Sequence, residues 1–167
     1  MVAVDAPIQR VLDMTIEVSE LVLSDGRQSP TAANVQRGVC RLLRAHGFAT
    51  VPELSLANGR RVDLMAINGT GTLWAIEIKS SLADLRADQK WLEYEPFCDR
   101  LYFAIPPEMP QEVMPAEPGL IVADRWGAEI LRHTEDRPLP AARRKAVTLC
   151  FARAAALRLH SIFDPNC

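Results

Sequence analysis

The chain reads as an α/β protein with a mixed central sheet flanked by helices, and three observations carry that reading. A helix-spaced apolar series opens after Pro30, three strand-like runs joined by tight turns follow it, and a second helical stretch leads into a further strand. The element order is α-β-β-β-α-β, with shorter elements behind. Consecutive strands with tight turns pair antiparallel, whereas a strand reached through a helix runs parallel to its neighbour.

Taken in order, Ile8, Val11, Leu12 and Ile16 suit a short helix near the start, and Ser24-Asp25-Gly26 with Gln28-Ser29-Pro30 then breaks the chain. Pro30 or Thr31 opens a helix whose apolar positions are Val35, Val39, Leu42 and Leu43, and Gly47 ends it as a left-handed stop. Strands are expected over 48–56, 60–67 and 72–79, with turns at Asn58-Gly59 and at Asn68–Gly71. Leu82–Glu95 reads as one helix and Arg100–Ile105 as a strand closed by Pro106-Pro107. After the proline-rich stretch 106–118, Leu120–Ala123 and Ala128–Leu131 read as short strands around Trp126-Gly127, and 141–160 as a closing helix.

At 167 residues, 49% hydrophobic and 24% charged, the chain suits one domain with its own core. Acids interrupt any apolar leader near the N-terminus, and no apolar run approaches the roughly 18–20 residues of a membrane span. A cytoplasmic protein without a membrane partner is expected. Cys40, Cys98, Cys150 and Cys167 are scattered, with no zinc spacing, and read as reduced thiols; His46, His133 and His160 read as surface residues.

Net charge is only −2, which argues against a strong general nucleic-acid binder, but the charge is segregated. Residues 27–61 hold six arginines and one acid, 106–136 hold seven acids and two arginines, and 140–162 hold five basic residues and no acid. One face can thus meet phosphates while the whole stays slightly acidic. Arg37, Arg41, Arg60, Arg61, Arg143, Arg144 and Lys145 are the phosphate-contact candidates.

The chemistry concentrates in Asp63, Glu77 and Lys79, charged residues set in otherwise apolar strands, where a charge must be paired, neutralised or bound to a metal. Glu77 and Lys79, two apart, share one strand face. A three-residue loop Gly69-Thr70-Gly71 puts Asp63 opposite Glu77, and a four-residue loop sends it to the other face; Gly71 suits the left-handed position of the former, which is the register expected. Two facing carboxylates and the backbone carbonyl of Ile78 then suit Mg²⁺ or Mn²⁺, which activates water and stabilises charge on a scissile phosphate, with Lys79 beside it. Glu-x-Lys on a strand is also a common ion pair without chemistry.

Asp, a hairpin, then Glu-x-Lys, between helices, resembles the PD-(D/E)xK nuclease superfamily. More closely, Arg37-Gly38-Val39, Arg60–Leu64 and Glu77–Ser81, with Asp88–Trp91, Cys98–Ala104 and Arg143–Leu149, resemble the bacterial MmcB-like DNA-repair proteins. The similarity spans about residues 28–160, leaving 1–27 as an N-terminal extension to a single nuclease-like domain over 28–167. The resemblance implies a restriction-endonuclease-like αβββαβ core and metal-dependent cleavage of DNA phosphodiester bonds in repair, with Asp63 and Glu77 as metal ligands and Lys79 as the catalytic lysine. DNA repair intermediates and other repair proteins are the implied partners.

The first helix lacks the acid that many superfamily members carry there and offers only Gln36. Glu53 is a substitute if the turn is the three-residue Ala57-Asn58-Gly59, but Asn-Gly favours a two-residue turn that faces Glu53 away. Asp88 and Lys90 are further accessory candidates, as charges on the helix behind the motif. The alternatives are a non-catalytic DNA- or protein-binding module of the same fold, favoured by the missing helix acid, and an RNA-processing nuclease.

Overall fold

The computed structural model describes residues 28–87 and 90–165. Residues 1–27, with the expected first helix, lie outside them, as do Asp88, Gln89 and Cys167. Helix α1, Pro30–Ala45, starts where Ser29 caps it: the Ser29 hydroxyl oxygen accepts a hydrogen bond from the Ala32 N–H at 3.1 Å, and Pro30 occupies the first turn. It ends at Gly47, whose φ of 78° only glycine adopts cheaply.

Strands β1 (Phe48–Ser55), β2 (Arg61–Asn68) and β3 (Leu73–Ile78) form an antiparallel meander. A short helix α2 (Leu82–Ala87) and a 3-10 segment (Lys90–Phe97) then carry the chain to β4 (Arg100–Ile105), parallel to β3. The single helix expected over 82–95 is therefore not formed. Pro96 sits in the second segment, and tight packing of Tyr94 and Phe97 into the core replaces a regular amphipathic face. Strand β5 (Gly119–Ala123) is parallel to β4, β6 (Ala128–Arg132) turns back antiparallel, and α3 (Ala141–Phe163) closes the chain. The six strands lie in sequence order in one mixed sheet.

Each sheet face has its own core. Val35, Val39 and Leu43 of α1 pack on Leu64, Trp74, Ile76 and Tyr102, while Val147, Phe151 and Ala154 of α3 pack with Tyr94 and Phe97 against Met65, Leu73, Ala75 and Leu101. Strand β3 lies between these layers with all six residues buried, so an acid at Glu77 costs several kcal/mol unless compensated.

Helix α3 is long and apolar enough to cross a membrane by length and composition only, with a mean hydropathy of 1.3 over its most apolar window, contrary to the expectation that no run comes near that length. One such helix is weak evidence; its Val147–Phe151–Ala154 stripe is core, while Leu149, Leu157, Leu159, Ile162 and Phe163 are exposed.

Candidate active site

Strand order puts three acids and a lysine at one end of the sheet. Leu64 pairs with Ile76 and Ile67 with Leu73, and the Asn68 N–H donates to the Thr72 carbonyl, so the loop is Gly69-Thr70-Gly71 with Gly71 left-handed at φ 82°. The next pair outward is Asp63 and Glu77, the register expected from the sequence. The contact that locks it is a hydrogen bond from the Ile78 N–H to Asp63 Oδ2, 2.7 Å.

Two residues on, the Lys79 N–H is held by the Ala104 carbonyl at 2.9 Å, and its Nζ lies 3.2 Å from Glu77 Oε1. Lys79 is 2% exposed and Glu77 5%. An ion pair so placed gains Coulomb energy in a low-dielectric setting but loses much of it again to desolvation. It is poor evidence of selection for stability.

Glu53 joins them, contrary to the expectation that its turn faces it away. Leu54 pairs with Val62 and Pro52 with Leu64, and the Leu56 N–H donates to the Arg60 carbonyl, so the loop is Ala57-Asn58-Gly59 and Glu53 stands opposite Asp63. A type I′ turn needs positive φ at both central residues, and Asn58 does not have it; only Gly59 does, at 79°. Asn58 instead bonds outward, its Oδ1 accepting from the Arg60 N–H and its Nδ2 donating to the Glu93 carbonyl. Glu53 itself has φ 49° and pairs with Arg61 at 2.6 Å.

These neighbours are felt at Asp63. Burial pushes its carboxyl up to about 6; the Ile78 N–H and the Lys79 ammonium pull down, and the Glu53 and Asp84 carboxylates push up. Asp84 belongs to the start of α2, where it accepts from the Ser80 N–H and its own N–H donates to Ser81 Oγ. Asp84 is a site neighbour that the sequence does not single out; the Ser81-x-x-Asp84 capping pattern is the available signal.

The other expected residues divide. Gln36 accepts from Gln28 and lies on α1, which packs on the face opposite to Glu77 and Lys79. Lys90 opens the 3-10 segment on the surface. Arg60 and Arg61 sit at the site end of the sheet, but Arg60 forms a two-pronged pair with Glu93 and Arg61 pairs with Glu53. Arg37 and Arg41 are exposed on α1.

Arg143 and Arg144 are at the far end of the sheet from Asp63 and Glu77, and both have partners within the chain. Arg143 stacks on Phe97, and Arg144 clamps Asp99 through two 2.7 Å bonds while donating to the Gly71 carbonyl. Lys145 is exposed beside them. Cys40, Cys98 and Cys150 are unbridged, and burial pushes the Cys98 thiol up to about 12, consistent with packed, unreactive thiols.

Among the described residues no cluster of three or more His, Cys, Asp or Glu side chains has metal-holding geometry. Any cation at Asp63 and Glu77 would thus be held by two carboxylates and completed by backbone and water, which suits Mg²⁺ rather than a fully ligated structural metal. The excess of acid around the half-buried Asp63 is the feature that fits it.

A family model of MmcB-like DNA repair proteins matches residues 19–166. A solved protein of unknown function from Silicibacter pomeroyi is similar in structure, with 46% identity, a TM-score of 0.79, and coverage of 83% of this chain and 94% of that one. No curated protein matches. With nearly the whole chain aligned to one family model, the protein belongs to the MmcB-like DNA repair family.

Proposed function

We propose that this protein is a metal-dependent nuclease that hydrolyses phosphodiester bonds in DNA repair intermediates, on a restriction-endonuclease-like αβββαβ core. The observation that carries this reading is the 2.7 Å bond from the Ile78 N–H to Asp63, which fixes one acid against the strand bearing Glu77 and Lys79. The element order from α1 to β4 and membership of a DNA repair family support it.

Asp63, Glu77 and the carbonyl of Ile78 would hold Mg²⁺ or Mn²⁺, which supplies Lewis-acid stabilisation of phosphate charge and a more acidic water. The chain's own residues do the rest. Ionised Asp63 offers an anionic oxygen at the strand edge, with Glu53 and Asp84 adding negative potential around it. Glu77 aims the Lys79 ammonium, a fixed positive charge for the developing phosphorane, in a dry setting where such a charge acts strongly.

One observation favours a second reading, a non-catalytic DNA- or protein-binding module. Lys79 and Glu77 are almost fully covered, as a structural ion pair would be. Catalysis requires the ammonium to be uncovered when DNA binds.

Purified protein incubated with nicked, flapped, single-stranded and duplex DNA, with Mg²⁺ and with chelator, separates the two. Mg²⁺-dependent cleavage that disappears in Asp63→Asn and Lys79→Ala is expected. Binding without cleavage of any substrate would establish the module instead.

A further inference from the structure

The turn between β5 and β6 carries a tryptophan that the site described above does not use. Trp126 is 68% exposed at the tip of Asp124-Arg125-Trp126-Gly127. An indole left in water forgoes the burial that large aromatic side chains usually contribute, so its place on the surface invites a partner.

The turn beneath it is rigidly built. Asp124 Oδ1 accepts from the N–H groups of Trp126 at 2.7 Å and Gly127 at 2.9 Å, and the Asp124 N–H donates to the Gly127 carbonyl. Arg41 on α1 donates to the Trp126 carbonyl at 3.0 Å. Helix α1 approaches so closely at Gly38 that a Cβ there would stand 2.1 Å from the Asp124 carbonyl oxygen and 2.3 Å from that of Gly127. The ring is thus presented by a fixed backbone, with the Arg125 guanidinium lying over one of its faces, 4.7 Å from the centroid.

Trp126 and Arg125 form one wall of a cleft of about 660 Å³ whose other walls include Ser80, Ser81 and the Pro106–Pro110 loop. Ser80 directly follows Lys79, so the cleft lies at the same end of the sheet as Asp63 and Glu77, but on the α1 face. Its volume is in the range that holds small ligands, about 300–1,000 Å³, and too small for a duplex. Polar Thr31 and Asn34 line it, Arg125 adds a cation, Arg37 and Arg41 are exposed on the adjoining helix, and Glu108 and Asp124 are the acids on its walls. Asp124 is already engaged by the turn's own amides.

We infer that this cleft binds single-stranded DNA, with a base stacked on Trp126 and the adjoining phosphates met by Arg125 and the α1 arginines. Stacking is indifferent to sequence, because every base has a π-face, and it requires an unpaired base. The inference rests on reading this chain as acting on DNA, but binding and cleavage are separately measurable.

The test is fluorescence anisotropy of a labelled oligo-dT and of a duplex of the same length, in chelator, with wild type, Trp126→Ala and Trp126→Phe. Loss of one stacked base weakens oligo-dT binding roughly 5- to 150-fold in Trp126→Ala. Trp126→Phe recovers most of that loss, and duplex affinity is unchanged in both. The exposed position predicts an unaltered melting temperature, which excludes unfolding as the cause. Equal oligo-dT affinity in wild type and Trp126→Ala, or no binding by wild type, overturns the inference, even if Mg²⁺-dependent cleavage is seen. If the Trp126 effect holds while no substrate is cleaved, the nuclease reading fails and the stacking site stands.

Discussion

Glu53 stands opposite Asp63 across the β1–β2 ladder, with its own backbone at φ 49°. A non-glycine residue in this left-handed region costs roughly 1–2 kcal/mol. Arg158 braces the distortion from α3, donating to the carbonyls of Pro52 and Glu53. A strained residue that adds negative charge beside a half-buried acid is the kind of local cost that functional sites retain.

Glu53→Gly is expected to be about 1 kcal/mol more stable than Glu53→Ala by chemical denaturation, because only glycine relieves the backbone. Glu53→Gln keeps the strain but removes the charge. It should lower the Asp63 pKa, read by carboxyl-carbon NMR titration, since the Glu53 carboxylate is one of the influences raising it.

Asp63 should also show itself in the pH dependence of stability. Its folded pKa, about 6, lies above the ordinary 3.8, so in that interval the folded state binds more protons than the unfolded one. Stability therefore falls as pH rises from about 4 to about 6, by up to about 3 kcal/mol. Asp63→Asn removes this slope and is the more stable protein at pH 8. Millimolar Mg²⁺ should raise the melting temperature of wild type at pH 8 and leave Asp63→Asn unchanged.

The buried pair separates function from stability. Lys79→Ala leaves the Glu77 carboxylate buried opposite nothing of its size and should cost about 3–5 kcal/mol. The double variant Glu77→Gln with Lys79→Met removes both charges and should melt close to wild type or above it, while losing all cleavage. A double variant that melts well below wild type would make the pair a stability device.

Asp99 is a structural hub, accepting from the Leu73 and Leu139 N–H groups as well as from Arg144. Burial pushes its carboxyl up, but the Arg144 guanidinium and the two backbone N–H groups outweigh that and hold it below the usual carboxylate range. A depressed folded pKa means that this stabilisation is present above about pH 4 and is lost as pH falls through the folded value. Arg144→Ala should destabilise by about 2–4 kcal/mol in urea at pH 7 and leave the salt dependence of DNA binding unchanged.

How much of this was legible in the sequence depended on the range of the interaction. The Gly69–Gly71 loop is a local matter, and Gly71 alone points to the register that brings Asp63 to Glu77. The Asn58-Gly59 turn has equally local chemistry, yet its geometry is decided by Asn58 reaching Glu93, 35 residues on, and sequence preference picks the wrong loop. Helix 82–95 fails for a related reason, since Tyr94 and Phe97 enter the core through a 3-10 segment that no 3.6-residue period describes. Within Arg143-Arg144-Lys145 the sequence does not show that Arg144 is held by Asp99, 45 residues away. Trp126 reads only as a turn residue in sequence; its exposure and the helix seated beneath it exist only in three dimensions.

If the β2–β3 hairpin holds a divalent cation between Asp63 and Glu77, as proposed, the amide resonance of Ile78 reports on it directly, because that N–H is bonded to Asp63. Titrating ¹⁵N-labelled protein with Mg²⁺ should shift the Ile78 amide saturably in wild type and not in Asp63→Asn. An Ile78 amide that does not respond to millimolar Mg²⁺ or Mn²⁺, with or without bound DNA, would show that the hairpin holds no such cation.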